Sequence, residues 1–169
     1  MAVLPPFQSL LDAHGDEIHR FLRATAGPVE ADDCWQETWL AALRAYPSLS
    51  DASNLRGWLF TIAHRKVIDA ARARARRATP VAEPAELAGA ARTRVDAEPS
   101  PANSDLSATD GELWPAVAAL PPKQRTALAL RYIADWAYAE IAAAMATSEA
   151  AARRNVHEAL TRLSTEVVR

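Results

Sequence analysis

Tyr138-Ala139-Glu140-Ile141-Ala142-Ala143-Ala144-Met145, followed by Ala146-Thr147 and then Ser148-Glu149-Ala150-Ala151-Ala152-Arg153-Arg154-Asn155-Val156, is the stretch on which the fold turns. Ile141, Ala142 and Met145 share one face of a short helix. Ser148 offers a hydroxyl N-cap to a second helix, on which Ala152, Val156, Ala159, Leu160 and Leu163 line one side. A short helix, a tight turn and a longer capped helix make a helix-turn-helix. In that arrangement the second helix enters the major groove of DNA. Its early outward residues, Ser148, Glu149, Arg153, Arg154, Asn155 and His157, are the candidates for base and phosphate contacts. Just upstream, Leu120-Pro121-Pro122-Lys123-Gln124-Arg125 places proline at a helix start, and Ala127, Leu128, Leu130, Arg131 and Tyr132 continue that helix. Trp114, Trp136, Tyr132 and Tyr138 read as packing residues. These elements form one helical unit over 113–169.

A second unit precedes it, over 1–77. Phe7, Leu10, Leu11, His14, Ile18, Phe21 and Leu22 recur at helical spacing, and Gly27-Pro28 stops the run. From about Ala31 to Ala45, Cys34, Trp35, Thr38, Trp39, Ala42 and Leu43 fall on one side, leaving Asp33, Gln36, Glu37 and Arg44 outward. After Pro47 a polar loop, Ser48 to Asn54, leads to a third run carrying Leu55, Trp58, Leu59, Ile62, Val67 and Ile68. Three such helices suffice for a three- or four-helix bundle. Alanine is abundant and glycine scarce, at five, so composition also favours an all-α chain.

The formal charge of −2 excludes a uniformly basic coat, so any surface for nucleic acid must be segregated. It is segregated. Between 64 and 77, Arg65, Lys66, Arg72, Arg74, Arg76 and Arg77 face a single acid, Asp69. These cations suit phosphate; a plain alternative is a solvated helix end that complements its dipole. Residues 78–112 hold seven acids, two arginines, four prolines and no aromatic residue, and read as a flexible acidic linker, with room for a short helix over Glu83 to Arg94.

Asp33-Cys34-Trp35-Gln36-Glu37-Thr38-Trp39 resembles the Asp-x-x-Gln-Glu-x-aromatic signature of bacterial sigma factors. Asn54-Leu55-Arg56-Gly57-Trp58-Leu59-Phe60-Thr61-Ile62-Ala63 with Asp69 resembles the helix that follows it, and Leu-Pro-Pro-x-Gln-Arg, Leu-x-Leu-Arg-Tyr, Tyr-Ala-Glu-Ile-Ala and Ser-Glu resemble the domain that reads the −35 element. The resemblance is to the small extracytoplasmic-function class of the sigma-70 family and runs from about Phe7 to Leu163. It implies a promoter-specificity subunit that binds core RNA polymerase and promoter DNA, reads the −35 and −10 elements and assists strand opening. Asp33, Gln36 and Glu37 would grip the β′ clamp helices, with the β subunit as a further polymerase partner. Ser50, Asp51, Ser53, Asn54 and Arg56 would meet the −10 element, with Arg65, Lys66 and Arg72 on its phosphates. Many relatives are held inactive by an anti-sigma factor, which joins the candidate partners.

Several residues depart from that pattern. Asp135 stands where glycine is usual before the short helix, Ala137 replaces a hydroxyl cap, Ala146 replaces glycine in the turn, and Ala152 replaces a larger aliphatic; together they predict a loosened motif. Trp58 is placed for a strand-opening wedge, but it shares the stripe of Leu55, Leu59 and Ile62 and reads better as core. Other classes of function find little support. His14, His19, His64 and His157 show no metal-ligand spacing, no glycine-rich phosphate loop or nucleophile elbow appears, and neither catalysis nor a cofactor is expected. Cys34 stands alone, no run is long and apolar enough for a membrane span, and the start lacks a secretory signal, so the expected compartment is the cytoplasm. Two other readings remain: a free-standing helix-turn-helix regulator, and a polymerase-binding adaptor that reads DNA poorly.

Overall fold

Prolines 5 and 6 set where the first helix begins. In the computed structural model, which describes residues 4–78 and 110–167, Pro6 flanks α1 (Phe7–Ala26) and its carbonyl accepts from both the amide and the hydroxyl of Ser9. Gly27 adopts φ 91, a left-handed value that favours glycine, and so ends α1. Its carbonyl then accepts the first bond of α2 (Pro28–Ala45), at 3.0 Å from Ala31 N. With Pro28 at the first helical position, α2 begins three residues before the expected start. A 3-10 turn at Tyr46–Ser48 leads to α3 (Leu55–Ala78).

These helices bury Leu10, Ile18, Phe21 and Leu22 from α1, Cys34, Thr38, Trp39 and Ala42 from α2, and Leu59, Phe60, Ala63 and Val67 from α3. Phe21 and Phe60 meet edge to face with centroids 5.3 Å apart. Phe7 packs edge-on against both Trp39 and Tyr46, whose hydroxyl donates to the Pro5 carbonyl at 2.6 Å. Trp58 is half-buried against Tyr46, in keeping with a packing role. Leu43 does not take the inward place expected of it and is half exposed, because it follows Ala42 by 100° and falls outside the buried arc.

The second unit has α4 (Asp110–Ala119), α5 (Pro122–Tyr132), α6 (Tyr138–Ala144) and α7 (Glu149–Val167). Helix α4 has no counterpart among the sequence expectations; Pro115 lies inside it and masks its pattern. Ile141, Ala142, Ala152, Val156 and Ala159 are buried where α6 and α7 meet, as their periodicity predicts. Leu160, expected on that face, is 40% exposed, since it sits one residue round from Ala159. Tyr132 is a second correction: at the end of α5 it points outward, 62% exposed, rather than packing.

Both expected departures appear in the backbone. Asp135 takes φ 57 and Ala146 takes φ 49. At Ala146 the turn is a Schellman closure, with Thr147 N–H donating to Ala142 O at 2.9 Å and Ala146 N–H to Ala143 O at 3.3 Å. Ala137 has no side-chain oxygen for capping, and only half of a capping box forms, as the Glu140 carboxylate accepts from Ala137 N–H at 2.7 Å. Ser148 does cap α7, accepting from Ala151 N–H at 3.2 Å.

The all-α class and the two helical units are as expected. Their mutual contact is not: α1 packs against both α4 and α5, and the Arg23 guanidinium lies 5.9 Å over the Trp114 ring. The expected linker, with the helix allowed over Glu83 to Arg94, lies outside the described residues.

Candidate polymerase and nucleic-acid interfaces

Helix α2 turns Cys34, Thr38 and Trp39 inward, and the same 100° step leaves Asp33, Gln36 and Glu37 in solvent. Leu40 and Leu43 are about half exposed beside them, so the outer face of α2 is acidic with an apolar margin. Such a face complements a basic protein surface and repels phosphate. It is not isolated from the basic helix, however. Lys66 Nζ reaches Glu37 Oε2 at 3.0 Å, and Arg74 Nη2 lies 3.2 Å from Glu30 Oε2, so α2 and α3 are tied by pairs that the sequence reading kept apart.

The polar loop is shaped by its own side chains. Asp51 accepts from Ser53 N–H at 2.8 Å and from the Ser53 hydroxyl at 3.0 Å, which holds its carboxyl below the ordinary range. Asn54 Oδ1 accepts from Gly57 N–H at 2.8 Å and so caps α3. The capping amide sits directly over residue 57: a Cβ there would approach it to 2.5 Å, which accounts for glycine at that position. Ser50, Asp51, Ser53 and Asn54 are all exposed or nearly so. Arg65 and Arg72 are exposed on α3; Lys66 is half-buried.

Arg56 departs from expectation. Its Nε donates to Glu17 Oε2 at 3.0 Å and its Nη2 to Glu17 Oε1, a bidentate pair that anchors α3 to α1. From the same guanidinium, Nη2 donates to Ile133 O at 2.8 Å and Nη1 to Ala134 O, carbonyls at the C-terminal end of α5. The hydrogen bond from Arg56 lowers the Glu17 pKa, partly opposed by burial. Beyond Arg56, a cleft of about 430 Å³ separates Asn54, Gly57, Trp58 and Thr61 from Trp136, Glu140, Ala143 and Ala144. His64 is buried near Ala144 and neither ring nitrogen has a hydrogen-bond partner; burial pushes its pKa down.

On α7, Ser148, Glu149, Arg153, Arg154 and His157 are exposed and Asn155 is half-buried. The neighbouring arginines differ. Arg153 donates to Glu149 Oε1 and stacks 4.5 Å over the Tyr138 ring, which fixes it on the protein. Arg154 has no such partner among the described residues. His14 and His19 are not paired with each other: His14 lies 3.7 Å from Glu17, and His19 Nε2 lies 2.8 Å from Asp32 Oδ1. No cluster of metal-ligating side chains occurs among the described residues.

Comparison with known proteins places both units. Residues 10–77 match the model for sigma-70 region 2, and residues 111–163 match that for sigma-70, region 4. The ECF RNA polymerase sigma factor SigD of Mycobacterium tuberculosis is 37% identical over 158 residues, which cover 88% of this chain and 71% of that protein. The chain belongs to the extracytoplasmic-function sigma factors of the sigma-70 family. It is therefore a promoter-recognising sigma subunit. SigG of the same organism is 31% identical over 160 residues, covering 85% of this sigma factor and 43% of SigG. Among solved structures, the sigma factor RpoE in complex with the anti-sigma factor NepR, from Bartonella quintana, shares the fold, with TM-score 0.69, 22% identity and coverage of 95% and 96% of the two chains. CnrH in complex with the cytosolic domain of CnrY also shares it, with TM-score 0.58, 22% identity and coverage of 94% and 85%. No helix described in this sigma factor is long and apolar enough to cross a membrane.

What the sequence did not disclose is the role of Glu17 and of the carbonyls of Ile133 and Ala134. Glu17 looks like an ordinary surface acid of α1, and backbone acceptors carry no signature in sequence at all.

Proposed function

We propose that this sigma factor divides its work between surfaces of opposite charge. Residues 1–77 form the unit for core polymerase and the −10 element, 78–112 the tether, and 113–169 the unit for the −35 element. Asp33, Gln36 and Glu37 on α2 dock on basic residues of the β′ clamp helices, and the exposed acidic face with its apolar margin is the single observation that carries this assignment. Ser50, Asp51, Ser53 and Asn54 meet the −10 element beside the half-buried Trp58, with Arg56 joining once it is free of its present partners. Arg65, Lys66 and Arg72 neutralise phosphates. On α7, Arg154 reads a base edge, Arg153 holds the helix surface against Tyr138, and Ser148, Glu149, Asn155 and His157 complete the groove contact.

The work is binding and strand opening rather than catalysis, requires no cofactor and takes place in the cytoplasm. An anti-sigma protein is a fitting further partner, since two structural relatives are described with such partners. Run-off transcription with purified core polymerase tests the reading: promoter-specific RNA supports it, and core that stays silent on every candidate promoter defeats it. Reversing Asp33 and Glu37 to lysine tests the docking face separately.

A further inference from the structure

We propose that the two units of this sigma factor latch onto each other through Arg56, and that this latch holds the free chain in a form unable to engage both promoter elements at once. The inference rests on the assignment of the two units to the −10 and −35 elements. One guanidinium joins three helices: it pairs bidentately with Glu17 of α1, extends from α3, and caps the end of α5 through the carbonyls of Ile133 and Ala134. The α5 end carries the negative pole of its helix, so a cation there is doubly favoured. Asp135, four bonds of chain before Ala137, adds a further acid that favours the charged form of Arg56.

Distance makes the contact inhibitory. Elements named for positions −35 and −10 lie about 25 base pairs apart, or about 85 Å at roughly 3.4 Å per base pair. Here α6 of the helix-turn-helix faces the start of α3 across one cleft, and α7, with 19 residues, is only about 28 Å long. The two reading surfaces are thus far too close. The chain between Ala78 and Asp110 is long enough to permit the opened form, since 31 residues reach about 100 Å when extended. Engagement of core polymerase and promoter must therefore break the Arg56 contacts, and the arginine so released becomes available to DNA. A single residue is spoken for in the closed state by protein acceptors and in the open state by phosphate or base.

The test uses the full chain with Cys34→Ala, and with Ser48→Cys and Thr161→Cys carrying a donor and an acceptor dye. The latch predicts high energy transfer in the free protein. Glu17→Lys, which repels Arg56, and separately Ala144→Arg, which wedges the cleft, should each lower transfer by at least half while helical circular dichroism is retained. Both should also associate with core polymerase at least threefold faster than the parent, and adding core to the parent should abolish its transfer. Low transfer in the free parent, or high transfer persisting in both variants, overturns the latch whatever the protein does in transcription. Transfer that survives while core is bound overturns the claim that engagement opens it. A closed parent opened by both variants, yet giving no RNA with core, upholds the latch and defeats the functional assignment instead.

Discussion

Asn54 carries a burden that a promoter contact alone would not require. Its side chain caps α3 through Gly57 N–H, and residue 57 has room for nothing larger than hydrogen beneath that amide. Asn54→Ala should cost about 1 kcal/mol in urea unfolding, and Asn54→Ser should recover most of it, because a hydroxyl can also cap. If Asn54→Ala leaves the midpoint unchanged, the cap contributes nothing and only a DNA role is left. Ala146 poses the opposite case. It holds φ 49 in the closure after α6, where a Cβ is penalised and glycine is not. After allowing for the extra freedom glycine gains in the unfolded chain, Ala146→Gly should stabilise the protein by about 0.5–1 kcal/mol, seen as a rise in thermal midpoint. An unchanged or lower midpoint would mean that the closure bears no strain.

At the scale of the element, the outer faces of α2 and α7 make separable predictions. Lysine at both 33 and 37 should weaken core binding at least tenfold in a pull-down or competition assay while leaving the fold intact, since both side chains are exposed. Glu37 also pairs with Lys66, so its reversal releases that lysine; Asp33→Lys alone avoids this coupling and should still show a clear part of the loss. On α7 the two arginines should part company. Arg154→Ala should cost roughly 1–3 kcal/mol of promoter affinity and relax preference at one base position. Arg153→Ala should act mainly on the packing of Tyr138, with a smaller change in affinity and no change in base preference. Equal effects on base preference would remove the distinction. Periodicity in the sequence located these faces well, because burial imposes a 3.6-residue repeat that charge and apolarity report directly. It failed at Leu43, Leu160 and Tyr132, each at the edge of an arc or the end of a helix, where the repeat does not say how wide the buried face is.

For the whole molecule, acid is the informative variable. His64 is buried without a hydrogen-bond partner and its pKa is held below the ordinary 6.5, with burial the larger cause and the nearby Ala144 backbone working weakly the other way. The ring is neutral in both folded and unfolded chains above that pH. As pH falls through 6.5 the unfolded chain takes up a proton that the folded chain resists, so stability is lost between 6.5 and the depressed folded value, at up to about 1.4 kcal/mol per pH unit. Glu17 adds a loss at lower pH: its folded pKa is depressed, so its contribution, complete above 4.5, disappears as pH drops through the lowered value. Urea midpoints at pH 7.5 and 5.5 should therefore fall for the parent and fall less for His64→Leu. Parallel slopes in the two proteins would remove His64 from the account.

The amino-acid sequence by itself determined the helices, the helix-turn-helix, the strained residues 135 and 146, and the opposite signs of the α2 face and the end of α3. Those properties follow from local spacing, side-chain chemistry and backbone sterics, all of which act over a few residues. Only the tertiary structure decided that Arg56 would be held by Glu17 and by carbonyls 77 and 78 residues away, that Lys66 would pair with Glu37, and that α4 and α5 would lie on α1. Contacts of that kind join groups distant in the chain, and some of the acceptors are backbone atoms that every residue possesses, so no pattern of side chains announces them.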